Sequence, residues 1–114
     1  MRTVTIEISS LKTSLGRFRR AWKTRAPQGE FISFDSLDTL LKTLTGKRWE
    51  LVRVLQGHGP LSIRALAREL GRDVKNVHAD VQALAEIGLI EKDGRRIRVP
   101  FGEIRAEFVV RAAA

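Results

Sequence analysis

Lys75, Ala79 and Gln82 recur at i, i+4 and i+7, flanked by Asn76 and His78. At about 100° per residue these positions share one side of a helix. Lysine donates hydrogen bonds, and asparagine and glutamine both donate and accept. Such side chains suit the edges of guanine and adenine, and the small Ala79 leaves room for a thymine methyl. Candidates for other chemistry are few. The chain has two histidines, His58 and His78, and no cysteine. Disulfides and thiolate metal sites are therefore excluded, and zinc would have to recruit carboxylates. Neither histidine has the context of a nucleophilic triad, and no glycine-rich phosphate loop is present. The expectation is a non-enzyme that uses no metal and no cofactor. His58 sits between glycines and is assigned no role. His78 is read either as a phosphate contact or as a surface or packing histidine.

The reading face needs a surrounding charge and a scaffold. The 114 residues carry 21 Lys plus Arg against 13 Asp plus Glu, a formal net charge of +8. That surplus attracts polyanions, either nucleic acid or an anionic membrane surface. No apolar run approaches the roughly 18 to 20 residues of a membrane span. The N-terminus alternates polar and apolar residues, unlike a signal peptide. A soluble cytoplasmic protein without a membrane partner is expected. With 43% hydrophobic residues, a chain of this length can bury one core.

The scaffold follows from periodicity and capping. Val4, Ile6 and Ile8 alternate with polar residues and predict a strand. Ser9 and Ser10 can cap a helix running to about Arg25, with Leu11, Leu15, Phe18 and Trp22 on one face. That stripe packs on the core or on a second subunit, and a dimer interface is favoured over a membrane surface. Glu30 to Phe34 suits a short strand or an extended connector. Ser36 can cap a helix with Leu37, Leu40, Leu41 and Leu44 inward. Thr45 can cap the next, with Trp49, Val52 and Leu55 apolar, and Gly57 to Pro60 stops it. Ser62 can cap a helix that buries Ile63, Leu66, Ala67 and Leu70 and ends at Gly71. Asp73 can cap the following helix, Val74 to about Ile87, whose apolar stripe is Val74, Val77, Val81 and Leu84. Leu89 to Val99 reads as a hairpin turning on Asp93-Gly94, which would set Ile90 opposite Ile97 and Glu91 opposite Arg96. Ile104, Ala106, Phe108 and Val110 alternate as a last strand, able to pair with the first.

Two helices joined by Gly71-Arg72-Asp73 have the helix-turn-helix layout, and a hairpin after them makes it winged. The fold class is therefore α+β: a winged helix-turn-helix at residues 30–102, preceded by a strand and amphipathic helix at 1–29 as the dimerisation element, and followed by a strand and tail at 103–114. The second helix would enter the major groove of double-stranded DNA with Lys75, Asn76, Ala79 and Gln82 toward the bases. Ser62, Arg64, Arg68, Arg72, His78, Lys92, Arg95 and Arg96 would contact the backbone. Glu86, near the far end, would lie outside the groove.

From Leu44 to about Ile104 the chain resembles winged-helix regulators of bacteria and archaea, broadly the MarR-like and ArsR-like class. It resembles in particular a small group of regulators and antitoxins. Leu44-Thr45, Gly59-Pro60-Leu61-Ser62-Ile63, Leu70 through Val81, Gly88-Leu89-Ile90 and Val99-Pro100-Phe101 carry the likeness. The helix-turn-helix, the basic wing and the charge of +8 suggest a homodimeric, sequence-specific repressor; the resemblance implies in addition an antitoxin that binds a small toxin protein and represses its own operon. The alternative is a protein-interaction module, an antitoxin that binds a toxin partner, whose nucleic-acid binding is weak or non-specific.

Overall fold

The computed structural model describes residues 2–9 and 29–112. The helix expected from Ser10 to Arg25, with Leu11, Leu15, Phe18 and Trp22, lies outside the described residues.

The first strand, β1 (Thr3–Ile8), is central in a three-stranded sheet. β2 (Glu30–Phe34) lies on one side and the last strand (Glu103–Glu107) on the other, both parallel to β1. The stretch from Glu30 is thus a strand, and the chain's two terminal strands do pair. Val4 lies beside Ile104, and Ile6 beside Ile32 and Ala106. Val4, Ile6 and Phe34 are buried on the core side. The intervening Thr3, Thr5 and Glu7 face the other way, as the two-residue period requires. The last strand is shorter than its alternation suggested. Its register ends where Glu107 meets Glu7, with β1 almost exhausted. Phe108 and Val110 therefore have no strand beside them and are 50% and 80% exposed.

The capping residues set the helices that follow. Ser36 Oγ accepts from Thr39 N–H at 3.1 Å and starts α1 (Leu37–Thr43). Thr45 Oγ1 accepts from Arg48 N–H at 3.4 Å and starts α2 (Gly46–His58). Leu40 and Leu44 are buried, but Leu41 is 57% exposed, contrary to its expected inward position. It stands about 100° around the helix from Leu40, beyond the edge of the buried stripe.

Ser62 Oγ accepts from Ala65 N–H at 3.1 Å and opens α3 (Ile63–Leu70). Gly71 ends α3 at φ 64°, a left-handed conformation in which its N–H reaches back to the helix carbonyls. Asp73 Oδ1 then accepts from Lys75 N–H at 2.8 Å at the start of α4 (Val74–Glu86). The hairpin consists of β3 (Glu91–Asp93) and β4 (Arg96–Arg98), and the terminal strand is β5. Leu61 joins the hairpin: its N–H donates to Ile97 O at 3.0 Å, and Ile97 N–H donates back at 2.8 Å. The pairing fastens the hairpin to the entrance of α3, and the α+β architecture is a winged helix-turn-helix.

The core between these parts contains Leu51, Val52 and Leu55 of α2, Leu66 and Ala67 of α3, and Val77, Val81 and Leu84 of α4. Leu89, Ile90, Ile97 and Phe101 close it from the hairpin side. Val74 is the exception in the expected stripe of α4, at 43% exposed. It occupies the first helical position, a turn short of the neighbours that cover Val77 and Val81.

The hairpin register also departs from expectation. Glu91 pairs with Arg98, Lys92 with Ile97 and Asp93 with Arg96. The two-residue loop is therefore Gly94-Arg95. Gly94 occupies its first position at φ 65°, where a side chain would be strained. With the loop moved one residue along, Ile97 sits opposite Lys92, and Ile90 precedes the hairpin. Ile97 remains buried, paired to Leu61.

Candidate nucleic-acid interface

Burial of Val77, Val81 and Leu84 fixes the rotation of α4 and turns its opposite side outward. Lys75, Asn76, His78 and Ala79 are exposed there and Gln82 is half-buried. Among the described residues, no hydrogen bond or ion pair engages the side chains of Lys75 or Asn76. Gln82 Nε2 and His78 Nε2 lie 3.4 Å apart, one helical turn from each other. That loose contact leaves most of their polar capacity outward. Glu86 is exposed at the far end.

Arg64 and Arg68 are exposed on α3. With Ala67, Arg72 and Val74 they line a concavity of about 370 Å³ where α3 meets the first turn of α4. Ser62 is occupied as the cap of α3, although its hydroxyl proton is free to donate. Lys92, Arg95 and Arg96 are exposed around the hairpin tip. The shifted register matters here. Glu91 takes Arg98, not Arg96, as its ion-pair partner, accepting from Arg98 Nε at 2.8 Å and also from Nη2. Arg96 is left without an ion-pair partner among the described residues.

Arg72 is placed differently from the other expected backbone contacts. Its Nη2 donates to Asp80 Oδ2 at 2.7 Å, while Arg48 Nε donates to Asp80 Oδ1 at 2.9 Å. Arg48 Nη1 also donates to Thr43 O at 2.9 Å. One carboxylate thus links α2, the α3–α4 turn and α4, and Arg48 extends the link to the end of α1. Burial pushes the Asp80 carboxyl up, but the hydrogen bonds from Arg72 and Arg48 outweigh it and hold it below the usual carboxylate value. Asp80 was not among the expected site residues. Its position beside the buried stripe of α4 is a sequence signal, but its partner Arg48 is 32 residues away.

Among the described residues no group of three or more His, Cys, Asp or Glu could hold a metal ion. No helix there is long and apolar enough to cross a membrane. The arrangement offers hydrogen-bonding side chains on the outward face of α4, with exposed cations on α3 and around the hairpin tip.

The sequence from Thr43 to Ala106, more than half of the chain, matches the family model HVO_A0114. The chain belongs to the HVO_A0114 family. The matched stretch of this HVO_A0114 member runs from the end of α1 through the helix-turn-helix and the hairpin into β5, so it takes in every cation just described. Among solved structures, the chain is similar to the homodimeric winged helix-turn-helix DNA-binding domain, fragment 1–100, of Mb0332 from Mycobacterium bovis, a possible ArsR-family transcriptional regulator. The two are 26% identical, with 65% of this chain and 74% of that one covered and a TM-score of 0.43. No curated protein matches.

Proposed function

We propose that this HVO_A0114 member is a sequence-specific double-stranded DNA-binding transcriptional regulator that reads the major groove with α4. The observation that carries the proposal is the outward face of α4. Lys75, Asn76 and Ala79 are exposed at its amino-terminal end, the end that approaches bases most closely in helix-turn-helix proteins. Gln82 extends the face. Arg64, Arg68, Lys92, Arg95 and Arg96 supply phosphate contacts on either side, with Ser62 and His78 as neutral donors. Arg72, tied to Asp80, presents the turn more than it reaches the backbone.

The proposal extends to a homodimeric repressor. Two copies would set their reading helices about 34 Å apart, one turn of duplex, on a palindromic site. Residues 1–29 would supply the dimer contact. The resemblance to small regulator and antitoxin proteins motivates a further part: autorepression of an operon that also encodes a toxin partner, from a cytoplasmic location. Co-purification with the product of the adjacent gene tests that part. Failure to co-purify would leave a regulator without a toxin.

Fluorescence anisotropy tests the main reading. The full chain is titrated with a duplex from upstream of its own gene and with a scrambled duplex of equal length, at several salt concentrations. A preference that survives physiological salt supports it. Equal, steeply salt-dependent binding would reduce the interaction to charge.

A further inference from the structure

Val74 is an aliphatic side chain 43% exposed at the start of α4. Capping by Asp73 does not use it, because the cap bonds to the Lys75 amide. Nor is valine a residue that a first helical turn favours: its branched side chain is stiff in a helix. Its surroundings are informative. Val74 and Ala67 form the apolar part of the concavity whose remaining lining is Arg64, Arg68 and Arg72. Within α4, Val74, His78 and Gln82 form one i, i+4, i+8 row, and Lys75 and Ala79 form the row beside it. Val74 thus lies at the border between the buried stripe and the outward face that carries the proposed reading residues, in a cationic setting that complements a phosphate backbone.

We propose that Val74 is a specificity-determining residue that packs against the C5 methyl of a thymine in the major groove. The inference rests on the proposed reading of DNA by α4 and names what one position of the site must contain. In the major groove thymine alone among the four bases carries a methyl group, and an aliphatic side chain can distinguish it from the same base without the methyl. Arg64 and Arg68 would hold the flanking phosphates, and Lys75 would take the adjacent polar base edge. Ala79, one turn on, is too short to make the same contact at the same depth.

Thymine-to-uracil replacement tests this, since it removes only the methyl. The full chain selects its preferred duplex from a randomised library. That duplex is then resynthesised with each thymine in turn replaced by uracil. Wild-type protein is expected to bind one such duplex about three- to fourfold more weakly, the effect of one buried methyl group. Val74→Ser and Val74→Asn, which leave no methyl group to pack on the base, are expected to lose most of that sensitivity while keeping the wild-type salt slope. Thermal melting of both variants checks that the fold persists, as expected for a half-exposed position.

Wild-type indifference to every uracil replacement would overturn the Val74 contact alone, leaving DNA reading in place. Undiminished uracil sensitivity in both variants would overturn it too. Failure to select any sequence would remove the underlying reading and this inference together.

Discussion

Asp80 on α4 holds Arg72 of the preceding turn at 2.7 Å, with both side chains mostly withdrawn from solvent. The same carboxylate holds Arg48 of α2 at 2.9 Å. α4 is therefore locked to its turn and to the helix behind it by one acidic residue in a strongly basic chain. Replacing Asp80 with alanine leaves two partly buried guanidinium groups without their acceptor. The expected loss is about 1 to 3 kcal/mol of stability, read by urea unfolding. Under the proposed function Asp80→Ala should also weaken DNA binding by loosening α4, although Asp80 is mostly withdrawn from solvent and its removal raises the net positive charge.

The same pair sets a pH dependence. The Asp80 carboxyl titrates below its ordinary value of 3.8 in the folded chain. A lowered carboxyl stabilises the fold fully above its unfolded value, and that contribution is lost as pH falls through the folded value. Unfolding free energy should therefore decline below about pH 4, and Asp80→Asn should flatten the decline. The exposed Glu30, lowered by its hydrogen bonds from Arg2, acts in the same direction and remains in that variant.

The hairpin register predicts a difference between two neighbouring arginines. Arg96 has no ion-pair partner among the described residues, whereas Arg98 is held by Glu91. Arg95→Ala combined with Arg96→Ala should weaken binding to every sequence and lower the salt slope by roughly two units, at about 0.9 for each phosphate no longer neutralised. Arg98→Ala should change the slope much less. Anisotropy titrations between low and physiological salt check both.

The residues proposed to read bases should behave in the opposite way. Lys75→Ala and Asn76→Ala should each cost about 1 to 3 kcal/mol on the preferred duplex, the range for a bidentate base contact. Binding to scrambled DNA should change little beyond the one charge removed with Lys75. If these variants and the hairpin variants act alike, the division into reading and anchoring residues is wrong.

Gly71 should resist substitution for a conformational reason alone. A Cβ there would meet nothing within 4 Å, yet φ is +64°. Gly71→Ala should destabilise the fold by roughly 1 kcal/mol, from the left-handed backbone that alanine disfavours, measurable as a lowered urea midpoint at constant slope.

Much of this scaffold was legible because its signals are local. Ser36, Thr45, Ser62 and Asp73 each cap the helix that follows, and Gly71 ends α3, so the joint Gly71-Arg72-Asp73 could be read directly. The hairpin was legible as a hairpin, but its register was not. Asp93-Gly94 is the preferred pair for a two-residue loop, yet Gly94-Arg95 forms it, with Ile97 tied to Leu61, 36 residues earlier. The Asp80 network was hidden for a similar reason: its partners come from a different helix and from the turn. Val74, Leu41, Phe108 and Val110 all fit an apolar period but lack neighbours to cover them. Periodicity marks a face without stating where its cover ends.

The most direct test is an NMR titration of the ¹⁵N-labelled full chain with its preferred duplex. DNA reading by α4 predicts amide shift changes concentrated on residues 74–82, on the turn around Arg72, on Arg64 and Arg68, and on the hairpin tip from Lys92 to Arg96. Changes confined to the β2–β1–β5 sheet, with α4 unperturbed, would contradict it.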